Sequence, residues 1–178
     1  MEFGKVWSAA KLIILISLIF NLVMLGIGAG LGALGIGTGL VARGGGAGAV
    51  LGLAGSFLLW FADWGVRIVT FLGNFAIIAY GGYRAAKKEN NMIGCGLVGL
   101  LTHAIVGFIT GIISFVLSFF GVGASVLTSG NAITGAFAGI LGAIGIGVGL
   151  ICSVLWYLGG MINNFLISLV AGMIGGAK

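Results

Sequence analysis

Apolar residues run in four long blocks, and three short polar stretches separate them. The clearest interruption is Arg84-Ala-Ala-Lys-Lys-Glu-Asn-Asn91. A second is Arg43-Gly-Gly-Gly46, and a third is Thr128-Ser-Gly-Asn131. They leave apolar segments at roughly 5–42, 47–83, 92–127 and 132–176. Each exceeds the ~20 residues that a helix needs to cross a bilayer. A backbone in hydrocarbon must satisfy its own polar groups, which makes helix the expected state. No segment alternates apolar and polar residues with period two, which argues against a lipid-facing barrel. The pattern therefore predicts an all-α integral membrane protein with four long, glycine-rich transmembrane helices, arranged as two hairpins. Six shorter spans are an alternative, with breaks near Asp63 and near Gly159-Gly160.

Composition supports that environment. Of 178 residues, 60% are hydrophobic, 37 are glycine and only 6% are charged. So few charges cannot form the polar shell of a soluble globule. Disorder is excluded as well, because disordered chains are poor in apolar residues. Proline is absent, so no helix is broken by a missing N–H. Lys5 and Lys11 precede the apolar run Leu12–Leu25, and small residues follow it. This order imitates a signal peptide. It is read here as the first membrane helix, retained in the protein.

The net charge of +5 informs orientation rather than nucleic-acid binding. With four spans, Lys5, Lys11, Arg84, Lys87, Lys88 and Lys178 fall on one side, and only Arg43 on the other. Both termini and loop 84–91 are accordingly expected in the cytoplasm.

The halves share local features. Phe20-Asn-Leu-Val-Met-Leu-Gly-Ile-Gly-Ala29 resembles Val116-Leu-Ser-Phe-Phe-Gly-Val-Gly-Ala124. Phe57-Leu-Leu-Trp-Phe61 resembles Ser153-Val-Leu-Trp-Tyr157, and paired glycines recur at 81–82 and 175–176. These likenesses are consistent with a tandem duplication: a first hairpin over 1–88 and a second over 89–178, together one membrane domain. Low complexity also produces such matches by chance, and both explanations stay open.

The motif Gly30-Leu-Gly-Ala-Leu-Gly35 matches a dinucleotide fingerprint in letters only. It lacks a preceding strand and an acid about 20 residues later. Glycine pairs four apart are better read as helix-packing faces, since such residues share one side of a helix. Examples are Gly26 and Gly30, Gly107 and Gly111, Gly135 and Gly139, and Gly145 and Gly149.

Asp63 and Arg67 are the sharpest polar signal, four apart and flanked by Trp60 and Trp64. An ionisable group within a membrane span invites a functional reading. An interfacial ion pair within an aromatic belt is the structural alternative. His103 could relay protons, or be hydrogen-bonded between helices. Asn21, Asn74, Asn163 and Asn164 are candidates for similar cross-links. Cys95 and Cys152 have neither disulfide nor metal-ligand spacing and are read as small packing residues. No nucleophile has a base beside it, and a dyad would have to pair Asp63 with His103. No catalytic residue, cofactor or metal is expected, and the protein is read as a non-enzyme.

Two resemblances follow from these residues. The Gly/Ala-rich helices and doubled hairpin look like the proteolipid ring subunits of rotary ATPases. That similarity implies an ion-carrying carboxylate in mid-helix. Asp63 is the only candidate, and Arg67 beside it departs from the pattern. Residues 57–120, about a third of the chain, are similar to the small hairpin pilins of conjugative secretion systems. Those join two apolar helices through a basic cytoplasmic loop, as Arg84–Lys88 does here.

Two functions are therefore carried forward. One is a structural membrane subunit that self-associates through glycine-lined faces into a ring, array or filament. The other is a small channel, transporter or accessory subunit of a larger membrane complex, with Asp63, Arg67 and His103 on a polar path. The partners expected are the lipid bilayer and either further copies or other membrane subunits, with no nucleic acid.

Overall fold

The structure is a computed structural model. It describes the backbone of residues 3–42, 47–88, 90–128 and 132–177, and the side chains of 3–35, 50–52, 54–88, 90–117 and 152–177. Four helices make up the described chain: α1 (Phe3–Ala42), α2 (Ala47–Lys87), α3 (Met92–Thr128) and α4 (Ala132–Ile174). All four are long and apolar enough to cross a membrane, so by length and composition the chain is a multi-pass membrane protein. The six-span alternative is not what forms. α2 runs unbroken through Asp63, and α4 runs unbroken through Gly159-Gly160. Glycine weakens a helix in water, where the exposed backbone can bond to solvent. The continuous helices here match the demand of an apolar solvent, which offers backbone groups no other partner.

Hydroxyl side chains follow the same rule. Thr70, Thr102 and Thr110 each donate to the carbonyl four residues back, on Val66, Val98 and Val106. Ser56 does so to Gly52. This back-bonding satisfies the hydroxyl without a partner helix.

The adjacent asparagines at the central turn divide their work. Asn90 closes α2: its backbone N–H and its amide both donate to the Ala85 carbonyl, at 3.3 and 3.0 Å. Asn91 opens α3, its Oδ1 accepting from the Gly94 N–H at 2.9 Å as an N-cap. At the other end of the chain Gly176 takes φ +92°. The Ala177 N–H bonds back to Gly172 O and the Gly176 N–H to Met173 O. This is a Schellman stop, with glycine where a left-handed residue is required.

The chain divides into two compact units. One comprises residues 1–14 and 78–178, and the other residues 15–77. The first holds the core: Val6, Ala9, Ala10, Ile13, Ile78, Ala85, Cys95, Val98, Thr102, Val106 and Ser168 are all buried. α3 and α4 pack along each other there. In the second unit α1 and α2 meet through Phe20, whose ring occupies the space over Gly73.

Candidate functional site

The α3–α4 seam of the first unit is built from alternating small and polar residues. On α4 the facing positions are Tyr157, Gly160, Asn164, Ser168 and Gly172, three or four apart. On α3 they are Cys95, Gly99, His103 and Gly107. Residues at that spacing share one helix face.

Close approach comes first. A Cβ on Gly99 would collide with the Asn164 carbonyl and with Cβ of Ser168. Gly82, near the end of α2, meets the Ser168 carbonyl in the same way. These neighbours are backbone and cannot swing aside. Polar bonds then fasten the seam. Ser168 Oγ donates to Cys95 O at 2.6 Å. The Tyr157 hydroxyl donates to Ala104 O, and its ring lies over Gly107.

His103 sits within this seam. Its Nδ1 lies 2.8 Å from Asn164 Nδ2. An amide nitrogen only donates, so Nδ1 accepts and the ring proton belongs on Nε2. The ring edge rests where a side chain on Gly160 would be, and its centroid is 5.4 Å from that of Tyr157. The imidazole is thus a cross-helix bond in a slot made by glycines.

Among the described residues, the second unit holds two polar pairs. Asn21 and Asn74 exchange amide hydrogen bonds, Nδ2 to Oδ1, at 2.8 and 3.1 Å. Asn21 Nδ2 also reaches Ser17 O at 2.8 Å. Asp63 and Arg67 form an ion pair of 2.7 Å along α2, with the side chains 42% and 71% exposed. Around it Phe57, Trp60, Phe61 and Trp64 make a cluster of exposed rings, with Phe57 and Phe61 4.9 Å apart edge to face.

The three candidate polar residues thus take separate roles. Asp63 and Arg67 partner each other at the surface of one unit, while His103 is bonded to Asn164 in the other. Of the asparagines, Asn21, Asn74 and Asn164 link helices and Asn163 is exposed.

The glycine pairs divide too. Gly107 is covered by Tyr157, whereas a Cβ on Gly26, Gly30 or Gly111 would meet nothing within 4 Å. Gly135, Gly139, Gly145 and Gly149 lie outside the described side chains.

No known protein family, curated protein or solved structure matches this chain.

Ser168 is committed to a backbone carbonyl, and Cys95 and Cys152 are free thiols, one buried and one exposed. Among the described residues, no three of His, Cys, Asp and Glu come together to hold a metal. Sequence reasoning missed Ser168, Tyr157, Gly82 and Gly99. The available signal was the four-residue spacing Gly160–Asn164–Ser168–Gly172 on α4, matched by Cys95–Gly99–His103–Gly107 on α3.

Proposed function

We propose that the chain is a non-enzymatic membrane building block that self-associates into a ring, array or filament. The supporting observation is the outer side of α1. Gly26 and Gly30 stand open there, with Ala29 and Ala33 exposed beside them. Glycines that join helices within the chain are crowded by backbone, rings or other side chains, and these are not. A face of small residues lets another helix approach closely, and lipid alone gives no reason to keep one. The occupant in this reading is a second copy. Both termini and loop 84–91 lie in the cytoplasm, and residues 1–88 and 89–178 are two related hairpins of one membrane domain.

A channel or accessory role for Asp63, Arg67 and His103 is the second reading. It draws on the exposed ion pair of α2, which an apolar surface does not need.

The test is oligomeric state in mild detergent, by native mass spectrometry. The parent should form a large homo-oligomer. G26L/G30L should insert with the same helicity and run as a monomer. A parent recovered as a single copy bound to other chains would favour the second reading.

A further inference from the structure

Five of the eight cationic side chains gather at one end of the first unit, although their positions span 84 residues of sequence. The register is fixed by a contact between α1 and α2. Lys88 Nζ donates to Ser8 Oγ at 3.1 Å and to Ser8 O at 3.2 Å. Two turns inward, Ile13 lies against Gly81, 3.1 Å from where a Cβ would be. The helices are therefore antiparallel here, with Lys11 level with Arg84. Arg84 lies in the last turn of α2 and Lys88 just past its end, and Lys5 and Lys11 lie one turn to either side of Ser8. Lys87 Nζ projects over the Tyr83 ring, 5.3 Å from its centroid.

Exposure separates these cations by task. Lys88 is half-buried and spent on holding the helices together. Lys5, Lys11 and Lys87 are exposed, and Arg84 is partly so. Trp7, Tyr80 and Tyr83 stand exposed in the same turns, and such rings favour the headgroup level of a bilayer. Glu2 and Glu89 are the acids nearest in sequence. Along residues 1–14 and 78–91 the sequence carries five cations and two acids.

We infer that this end is a binding surface for the phosphate groups of anionic phospholipids, with Lys11, Arg84 and Lys87 as the contacting cations. Topology alone asks only that cations lie on one side of the membrane. It does not ask that residues 11 and 84 be brought level, nor that a lysine be half-buried to bring them there. A guanidinium and two ammonium groups at headgroup depth, beside interfacial rings, match a phosphodiester carrying a net negative charge. A zwitterionic headgroup supplies no net attraction. The inference rests on the membrane-spanning reading and is independent of self-association.

The full chain is reconstituted in phosphatidylcholine vesicles containing either spin-labelled phosphatidylglycerol or spin-labelled phosphatidylcholine. Electron spin resonance reads the motionally restricted fraction of each. The parent should restrict the anionic lipid several-fold more than the neutral one. K11Q/R84Q/K87Q, which keeps Lys88 on Ser8, should bring the ratio close to one. Each cation near an anionic surface is worth roughly a fivefold change. K11R/R84K/K87R should keep the preference, and so should R43Q, whose cation lies elsewhere in the sequence. If the glutamine variant loses helicity, the parent in 0.5 M NaCl carries the test, and its preference should collapse there. A ratio of one in the parent, or a preference that survives the glutamine variant or the salt, would overturn the inference. Displacement of the anionic lipid by millimolar inorganic phosphate would also overturn it, by assigning the surface to a free anion.

Discussion

Asn21 of α1 and Asn74 of α2 each donate an amide hydrogen to the other's carbonyl oxygen, at 2.8 and 3.1 Å. The pair satisfies itself, so the two amides can sit in an apolar unit at little cost. Replacing one partner strands the other, and replacing both with leucine does not. N21L and N74L should each lower stability by about 0.6–2 kcal/mol, and the double variant should cost no more than either. The measure is the unfolding midpoint in an SDS titration from mixed micelles. Strictly additive losses would mean that the amides do not act as a pair.

Gly99 and Gly82 press against backbone, while Gly26 and Gly111 face open space. G99A and G82A should each cost about 1–3 kcal/mol, because a methyl group must push a carbonyl aside. G26A and G111A should leave monomer stability equal or slightly raised. The same SDS midpoints decide this, and equal effects at all four positions would contradict the packing described.

Removing His103 leaves the Asn164 amide without its acceptor and opens a slot beside Gly160. H103A should lose roughly 2–4 kcal/mol, combining an unmet hydrogen bond with a cavity. H103L/N164L should recover part of that loss. An H103A variant as stable as the parent would remove His103 from the seam's structure.

Asp63 and Arg67 hold each other on an exposed side of α2. D63N alone should reduce the yield of membrane-inserted protein, because it leaves an unpaired guanidinium on an apolar helix. D63N/R67Q should insert and assemble like the parent. Should the double variant assemble normally yet abolish an ion conductance of the parent, the pair would belong to a transport path.

Orientation is checked with single cysteines for labelling in intact cells. A cysteine at position 87 should react only from the cytoplasmic side. One at position 45 or 129 should react only from outside. Labelling of 87 and 45 from the same face would remove the four-span arrangement.

The helix boundaries were legible in the residues alone, while the choice between four long spans and six shorter ones was made by the structure. The polar breaks at 43–46, 84–91 and 128–131 bracket segments that end within a few residues of α1, α3 and α4. α2 continues further, through Arg84 to Lys87. Ala85 and Ala86 favour helix, and the cations suit its C-terminal dipole. Such agreement has a simple cause. In hydrocarbon a backbone has one way to satisfy itself, so apolar length translates directly into helix.

Which glycine meets which neighbour was not legible. Gly26 and Gly30, a conspicuous pair, stand open, while Gly82 and Gly99, which form no pair with each other, carry the close contacts. A contact depends on how each helix is rotated and on its register with its neighbour. Both are set by groups distant in sequence: Lys88 on Ser8, Asn21 on Asn74, Ser168 on Cys95, Asn164 on His103. Composition fixes the solvent a chain must live in, and local spacing fixes which residues share a helix face. Only the packed tertiary structure decides which of those faces are closed, because glycine fits equally well against lipid, against a ring and against another backbone.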